Sequence, residues 1–133
     1  MSQLKVTFRS LHGTQATVGS AGVKSIVADR PKGVAGGLGL GLSGGELLAL
    51  SIGAGFSNQL YFSADELEVT ITELAIEVVL SVDNERLRGA EIQLALEIDG
   101  TAEQRDALLA HAEQHATISN GLKPAFPVTL TVL

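Results

Sequence analysis

Apolar and polar residues alternate along several runs of this chain, as they do in strands that have one buried face. Three short runs lie in the N-terminal quarter, at Val6–Leu11, Thr14–Val18 and Val23–Ala28. A further alternating run, Val128–Val132, closes the chain. We therefore expect a small antiparallel meander first and a single strand last.

A longer alternating segment, Leu67–Val82, changes phase in its middle. Its apolar residues keep one phase up to Ile71 and take the opposite phase from Leu74 onward. Because a strand cannot change phase without an extra residue or a break, we predict a bulge or bend at Thr72–Glu73. The next run, Ala90–Ile98, alternates cleanly, and the short turn between the two segments predicts a hairpin.

Two segments have helical character. Glu46–Phe62 is apolar on nearly every side and mixes small residues with bulky ones, so a helix there must be surrounded by protein or lipid. We interpret it as a buried central helix that packs against a copy of itself. The second helix follows Thr101 and Gln104, which fit a capping box, and runs to about His115.

The predicted order is β-β-β-α-β-β-α-β, an α+β fold in one domain that covers residues 1–133.

Two other interpretations of the central stretch are weaker. A membrane span needs about 20 largely apolar residues, and Glu46 and Asn58–Gln59 interrupt this run. The spacing in Gly39–Gly44 matches a dinucleotide fingerprint, but that motif has meaning only between a strand and a helix of a βαβ unit. We therefore predict no membrane span and a structural glycine loop.

Composition excludes several functions. The net charge is −6 and the basic residues are scattered, which argues against nucleic-acid binding. The absence of cysteine excludes disulfides, thiolate metal sites and thiol catalysis. Charged residues make up only 18%, which suggests that a second copy covers part of the surface. The first residues show no secretion signal, so we expect a cytoplasmic protein.

Three places in the chain resemble the osmotically inducible protein C and organic hydroperoxide resistance family (OsmC/Ohr). They are the acid and proline of Ala28–Pro31 with the later Gly36–Gly37, the central Gly44–Ser57, and His115–Leu122. The resemblance covers nearly the whole chain. It implies an antiparallel sheet wrapped around the central helix, in an intertwined homodimer.

The resemblance also implies where a redox site would lie. The peroxide-reducing members of that family use two thiols, which fall by spacing on Gly55 and Ala116 of this sequence. The acid at the start of the family's central helix falls on Gly45, with Glu46 one place along. Arg9 is the only candidate for the family's arginine. We therefore predict no thiol peroxidase activity, no catalytic residue of the family type and no cofactor.

Loss of both thiols could leave space for a ligand. In the family, the redox site lies at the dimer interface. We therefore expect the space left by the thiols to bind a small apolar ligand at that interface. The candidate lining residues are Glu46, Leu47, Phe56, Phe62, His115 and Phe126. The alternative is that neighbouring side chains fill the space and no ligand binds.

Thiol-free chemistry at the same place is the alternative function. His111 and His115 are four residues apart on one helix face and could begin a zinc site, but a third ligand is not evident. Two partly solvated histidines near a helix C-terminus are the simpler interpretation. A hydrolase would have to use Ser57 or Ser119 with His115, without the usual nucleophile motif. Glu46 could act as a base, although an acid at a helix start is ordinary stabilisation.

Overall fold

The computed structural model describes residues 1–133 and forms two compact units, Met1–Leu47 and Leu48–Leu133. The boundary falls inside the first helix. In chain order, the elements are β1 (Thr7–Ser10), β2 (Thr17–Ala21), β3 (Lys24–Ala28), α1 (Gly44–Glu66), β4 (Thr70–Asp83), β5 (Arg86–Asp99), α2 (Ala102–His115), α3 (Thr117–Leu122) and β6 (Val128–Val132). The predicted α+β order is confirmed, with α3 as an addition.

The first unit contains the predicted meander, in which β1, β2 and β3 pair antiparallel. The second strand lies three residues later than predicted. Ala21 pairs with Lys24, so the turn between β2 and β3 consists only of Gly22 and Val23. Gly22 has a φ of +64°, a conformation that favours glycine, and this allows the tight turn.

Asp29 fixes the glycine-rich loop that follows β3. Its carboxylate accepts hydrogen bonds from the backbone N–H groups of Leu38 (3.1 Å), Leu40 (3.0 Å) and Arg30 (2.8 Å). These bonds hold the pKa of the Asp29 carboxyl below its usual value, the bond from Leu40 most strongly. Within Gly39–Gly44, the N–H of Leu40 is therefore bound to this carboxylate, and those of Gly39 and Leu42 are bound to backbone carbonyls, so these three groups are not free for a dinucleotide phosphate.

Helix α1 extends beyond its predicted end at Phe62 to Glu66. Ser63 and Ala64 are buried within the second unit, and the Ser63 hydroxyl accepts a hydrogen bond from Gln59 at 3.1 Å. A serine whose hydroxyl is satisfied in this way does not compete with the helix backbone, so the helix continues. None of the three helices has the length and apolar character of a membrane-spanning segment.

The hairpin of the second unit has the predicted irregularity. Ile71 pairs with Ile98 and Glu73 pairs with Glu97, so Thr72 is the extra residue of a bulge. At the other end, the turn residues Asn84 and Glu85 have φ values of 50° and 62°, as in a type I′ hairpin. A second register shift, between Ser81 and Val82, was not predicted.

The antiparallel sheet that the resemblance implies needs one correction, at the third strand of the second sheet. Strand β6 pairs parallel with β5, from Ala90 opposite Val128 to Leu94 opposite Val132. The reason is topological, because two parallel strands need a crossover connection, and α2 with α3 provides it. The turn-rich sequence of Ile118–Pro127 does not predict a helix, but α3 occupies its first part, because the N–H of Asn120 donates to the carbonyl of Ala116 and closes a helical turn.

The core of the second unit lies between α1, α2 and one face of β5. Its buried apolar residues are Ile52, Phe56, Leu60, Ala64, Ala90, Ile92, Leu94, Leu96, Leu108, Leu109, Ala112, Ala116, Phe126 and Val128. Within a single chain, α1 buries only one side. Its opposite side keeps Leu50, Tyr61 and Phe62 exposed, so the predicted burial on every side does not occur in one chain.

Candidate functional site

A cavity of about 220 Å³ lies in the second unit where α2, α3 and β6 meet. Its apolar lining consists of Phe56, Ile92, Ala116, Val128 and Leu130. Phe56, Ile92 and Ala116 are nearly fully buried, so they form a floor that is continuous with the core. The cavity is therefore suited to the apolar part of a small molecule.

The polar lining lies toward α3 and β6 and consists of Glu113, Ser119, Asn120, Lys123 and Thr129. Ser119 is only 5% exposed, and its hydroxyl oxygen has no hydrogen-bond partner in the chain. Glu113, Lys123 and Thr129 are exposed. The polar lining thus contains a serine whose hydroxyl is buried, together with an exposed acid and an exposed base.

Local hydrogen bonds explain why Ser119 faces this cavity. Helix α2 ends at His115, which leaves carbonyl groups in its last turn without helical partners. The side-chain amide of Asn120 donates to the carbonyls of Glu113 and Gln114, at 3.0 and 3.1 Å. These bonds fix the junction of α2 with α3, and Ser119 is buried at that junction.

Gly55 lies on α1 close to α3. A β-carbon built on Gly55 would lie 3.0 Å from Cγ1 and 3.2 Å from Cβ of Ile118, which is tighter than ordinary contact. Ala116, in contrast, lines the cavity directly. The two positions that the resemblance assigns to thiols therefore differ: Ile118 fills the space at one, and the other faces the cavity.

A second group of polar side chains joins α1 to α2. His111 Nδ1 lies 2.8 Å from the Ser63 hydroxyl oxygen, and His111 Nε2 lies 3.2 Å from a carboxylate oxygen of Glu66. The row of serine, histidine and glutamate is like the order in a hydrolase triad. However, Ser63 is completely buried and, unlike Ser119, is not among the residues that line the cavity, so a molecule in that cavity does not meet its hydroxyl.

The sequence profile described as OsmC-like protein matches residues 36–131 of this chain. The chain belongs to the OsmC family. No curated protein matches it significantly. Its cysteine-free composition sets it apart from the peroxide-reducing members described above, because reduction by their mechanism needs a sulfur that can be oxidised and recycled. Thiol peroxidase activity is therefore not expected.

Solved structures with OsmC-family descriptions share the fold of the whole chain. An OsmC-like protein of Mycoplasma pneumoniae is 15% identical with a TM-score of 0.83, covering 99% of this chain and 96% of that one. The organic hydroperoxide resistance protein OhrB of Bacillus subtilis is 22% identical with a TM-score of 0.68, covering 99% and 98%. A Legionella pneumophila protein described as organic hydroperoxide resistance protein OsmC is 17% identical with a TM-score of 0.69, covering 99% and 97%. At these identities the likeness establishes the fold.

Within the OsmC fold, the aromatic residues predicted for a pocket are spread apart. Phe56 lines the cavity. Phe126 is buried in the core of the second unit, and Phe62 is 69% exposed on the outer side of α1. His115 is exposed and does not line the cavity. Of the predicted lining residues, the cavity therefore contains only Phe56; it also contains Ala116, which the resemblance assigns to a thiol, and Ser119, which the sequence suggests only as a hydrolase nucleophile.

The acid at the start of α1 has a structural contact. Glu46 accepts the N–H of Ser43 at 3.0 Å, and the Ser43 hydroxyl accepts the N–H of Glu46 at 3.1 Å, which forms a capping box. The backbone bond from Ser43 is the main reason why the pKa of Glu46 lies below its usual value. Gly45, the position that the resemblance assigns to the family acid, is one residue earlier and has no side chain that could serve.

The two histidines do not form a metal site in this geometry. Both ring nitrogens of His111 already contact Ser63 and Glu66, and Nδ1 of His115 donates to the carbonyl of His111 at 2.9 Å. The two rings stack with centroids 4.3 Å apart. No group of three or more histidines and acids is placed to hold an ion.

The serines considered as nucleophiles lack a neighbouring base. The Ser57 hydroxyl donates to the carbonyl of Ala54 at 3.0 Å, an ordinary contact within a helix. Ser119 has no hydrogen-bond partner at all, so no histidine is positioned to take its proton. Sequence spacing could not have revealed the importance of Ser119, because its burial depends on how α3 packs.

Proposed function

We propose that this OsmC-family protein binds a small, mainly apolar molecule in the cavity beside Ala116. The chain contains no cysteine, so a thiol cannot be the reacting group. What supports binding is the cavity itself: apolar residues form its floor, and one of the two positions matched to family thiols lies in its wall. In this role the protein binds a ligand and uses no catalytic residue.

The size of the cavity limits the ligand. Pockets for drug-sized molecules usually have volumes of about 300–1,000 Å³, whereas this cavity has about 220 Å³. An apolar cavity of about 150 Å³ is nevertheless large enough to bind benzene. We therefore propose a ligand of about the size of a single substituted aromatic ring or a short alkyl chain.

We also propose that the protein forms a homodimer through the outer side of α1. Leu50, Ala54, Tyr61 and Phe62 are exposed there in a single chain, although most of them are apolar. Leu50, Ala54 and Tyr61 recur at helical spacing, and the small Ala54 would let a second backbone approach closely. A second copy of the chain is the simplest partner for such a surface. A cytoplasmic location stays a prediction.

Toluene is a suitable probe of the cavity, because it is apolar and small. Titration of the labelled protein should shift the NMR resonances of Phe56, Ile92 and Ala116. Ala116→Leu should abolish these shifts by filling the cavity, whereas Ala107→Leu, the same change at an exposed position of α2, should preserve them. If Ala116→Leu does not fold, Val128→Ile narrows the cavity by one methylene group. The proposal is wrong if millimolar toluene leaves the cavity resonances of the wild type unchanged.

A second function, thiol-free hydrolysis, has one observation in its favour. The row formed by Ser63, His111 and Glu66 has the contacts of a catalytic triad. The complete burial of Ser63 argues against it, because a nucleophile must reach its substrate. We therefore favour ligand binding and interpret this row as a link between α1 and α2.

A further inference from the structure

We infer that the ligand carries an uncharged hydroxyl-type group that pairs with Ser119, so that the cavity selects small phenols or short alcohols. This inference rests on the proposed binding function and specifies its ligand class. It depends on three features of the cavity: the unpaired hydroxyl inside, the charges at the opening and the apolar floor.

The unpaired hydroxyl is the strongest of these observations. Buried polar groups in proteins nearly always have a hydrogen-bond partner, and an exception needs an explanation. Ser119 is more than nine-tenths buried, lines the cavity and has no partner in the chain. Its neighbour Asn120 is satisfied by two backbone carbonyls, so the local packing does supply partners where it can. A hydrogen-bonding group of a ligand in the cavity would give the Ser119 hydroxyl the partner that it lacks in the chain.

The charged residues that line the cavity argue against a ligand group that carries a charge. Glu113 and Lys123 both line the cavity and are exposed, so the opening carries one charge of each sign. These charges do not favour an anion over a cation. Inside, a single serine hydroxyl could not compensate for the loss of water around a charged group. The group that reaches Ser119 should therefore be neutral.

The apolar floor of the cavity indicates the chemical character of the rest of the ligand. Phe56 and Ile92 are almost completely buried and offer no polar atom of their side chains to a ligand. A hydroxyl can both donate to and accept from Ser119, and an aromatic ring or a short alkyl chain would cover the floor. A small phenol has both parts in one molecule of suitable size.

Phenol, toluene and benzoate share an aromatic ring and differ in the attached group. A comparison of their binding therefore tests the hydroxyl, the charges and the apolar floor one at a time. Binding of each would be measured by NMR titration of the wild-type protein, Ser119→Ala and Ser57→Ala. Ser57 is the matched control, since its hydroxyl bonds within α1 and does not line the cavity. Ser119→Ala should weaken phenol binding by about fivefold or more, and it should leave the Kd of toluene within about twofold. Ser57→Ala should change neither, and benzoate should bind the wild type more weakly than phenol does.

Each remaining result would overturn a defined part of the proposal. If toluene binds but phenol does not, or if Ser119→Ala weakens the binding of both equally or of neither, the pairing with Ser119 is wrong while the binding function stands. If benzoate binds more tightly than phenol, the ligand group is charged and the inference is wrong. If none of the three shifts the cavity resonances, the binding function and the inference both fail. Removal of an unpaired hydroxyl should not destabilise the protein, so thermal unfolding of Ser119→Ala serves as the check on folding.

Discussion

Ile118 of α3 packs so closely against Gly55 of α1 that a β-carbon on the glycine would lie 3.0 Å from Cγ1 of the isoleucine. The position that the family resemblance assigns to the first thiol is thus closed by a neighbouring side chain. Only the second position, Ala116, faces open space.

The first prediction concerns this contact. Gly55→Ala removes a glycine from a helix, which by itself stabilises by about 1 kcal/mol, but it also overpacks the contact with Ile118, which costs about 1–3 kcal/mol. We expect a net loss of roughly 1 kcal/mol in the free energy of unfolding, measured by urea denaturation. In an Ile118→Ala background, the same substitution should become stabilising.

Gly45→Ala is the matched control for that experiment. A β-carbon on Gly45 would meet only the Ser43 hydroxyl oxygen, at 3.9 Å, so the substitution has room. It should stabilise the protein by up to about 1 kcal/mol. If Gly55→Ala stabilises the wild type as much as Gly45→Ala does, Ile118 does not close the position.

The second prediction is that the protein does not consume organic hydroperoxides with a thiol reductant. Reduction of this type passes through a sulfenic acid, and the chain has no cysteine to form one. The loss of cumene hydroperoxide in the presence of dithiothreitol should proceed at the rate of a protein-free sample. A cysteine-bearing hydroperoxide reductase provides the positive control. Consumption above the protein-free rate would show a chemistry that does not depend on a thiol of this chain.

The third prediction is a pH dependence that originates at Asp29. Its folded-state pKa lies below the reference value of 3.8, so its ionised form stabilises the fold above that value and the contribution disappears as the pH falls through the folded-state pKa. Asp29→Asn should lower the free energy of unfolding near neutral pH. The difference from the wild type should shrink in acid, once the pH falls below the reference value of 3.8.

Urea unfolding at several pH values measures this effect, and amide exchange of Leu38 and Leu40 locates it. Asp106→Asn is the control, because Asp106 is exposed on α2. A constant difference between wild type and Asp29→Asn at all pH values would contradict the assignment to a carboxylate that accepts backbone hydrogen bonds.

Local signals were sufficient to predict much of this fold. The phase change around Thr72 revealed the bulge, because the period of two leaves no other solution. The pair Thr101 and Gln104 located the start of α2, since a capping box depends only on residues three apart. The end of α1 was missed because Ser63 is satisfied by contacts that form only in the folded protein.

Features that depend on packing between distant segments could not be predicted. The parallel pairing of β6 depends on where α2 and α3 return the chain. The cavity depends on α3, a helix that the glycine and proline residues around Gly121 and Pro124 had concealed. The resemblance to the family singled out Ala116 as a thiol position, but its place in the cavity wall and the unpaired hydroxyl of Ser119 could be found only from coordinates.

The fourth prediction tests whether the row at His111 is structural or catalytic. Ser63→Ala leaves a nitrogen of His111 and the amide of Gln59 without their partner, so we expect a loss of about 1–2 kcal/mol in the free energy of unfolding. Ser57→Ala should cost no more than about 0.5 kcal/mol. Any hydrolysis of p-nitrophenyl acetate should be unchanged in Ser63→Ala. A large decrease in hydrolysis with unchanged stability would support the hydrolase instead.

The fifth prediction concerns the outer side of α1. Phe62 is 69% exposed in a single chain, and a second copy packed on this surface would bury it. Phe62→Asp would then place an unpaired charge in the interface, which costs far more than the same charge in water. Light scattering should give the mass of two chains for the wild type and a mass near 13.8 kDa, that of one chain, for the variant. Ala107→Asp, on the exposed side of α2, should keep the mass of two chains. A wild-type mass of one chain would contradict the proposed dimer, and a dimer that survives Phe62→Asp would move the interface away from α1.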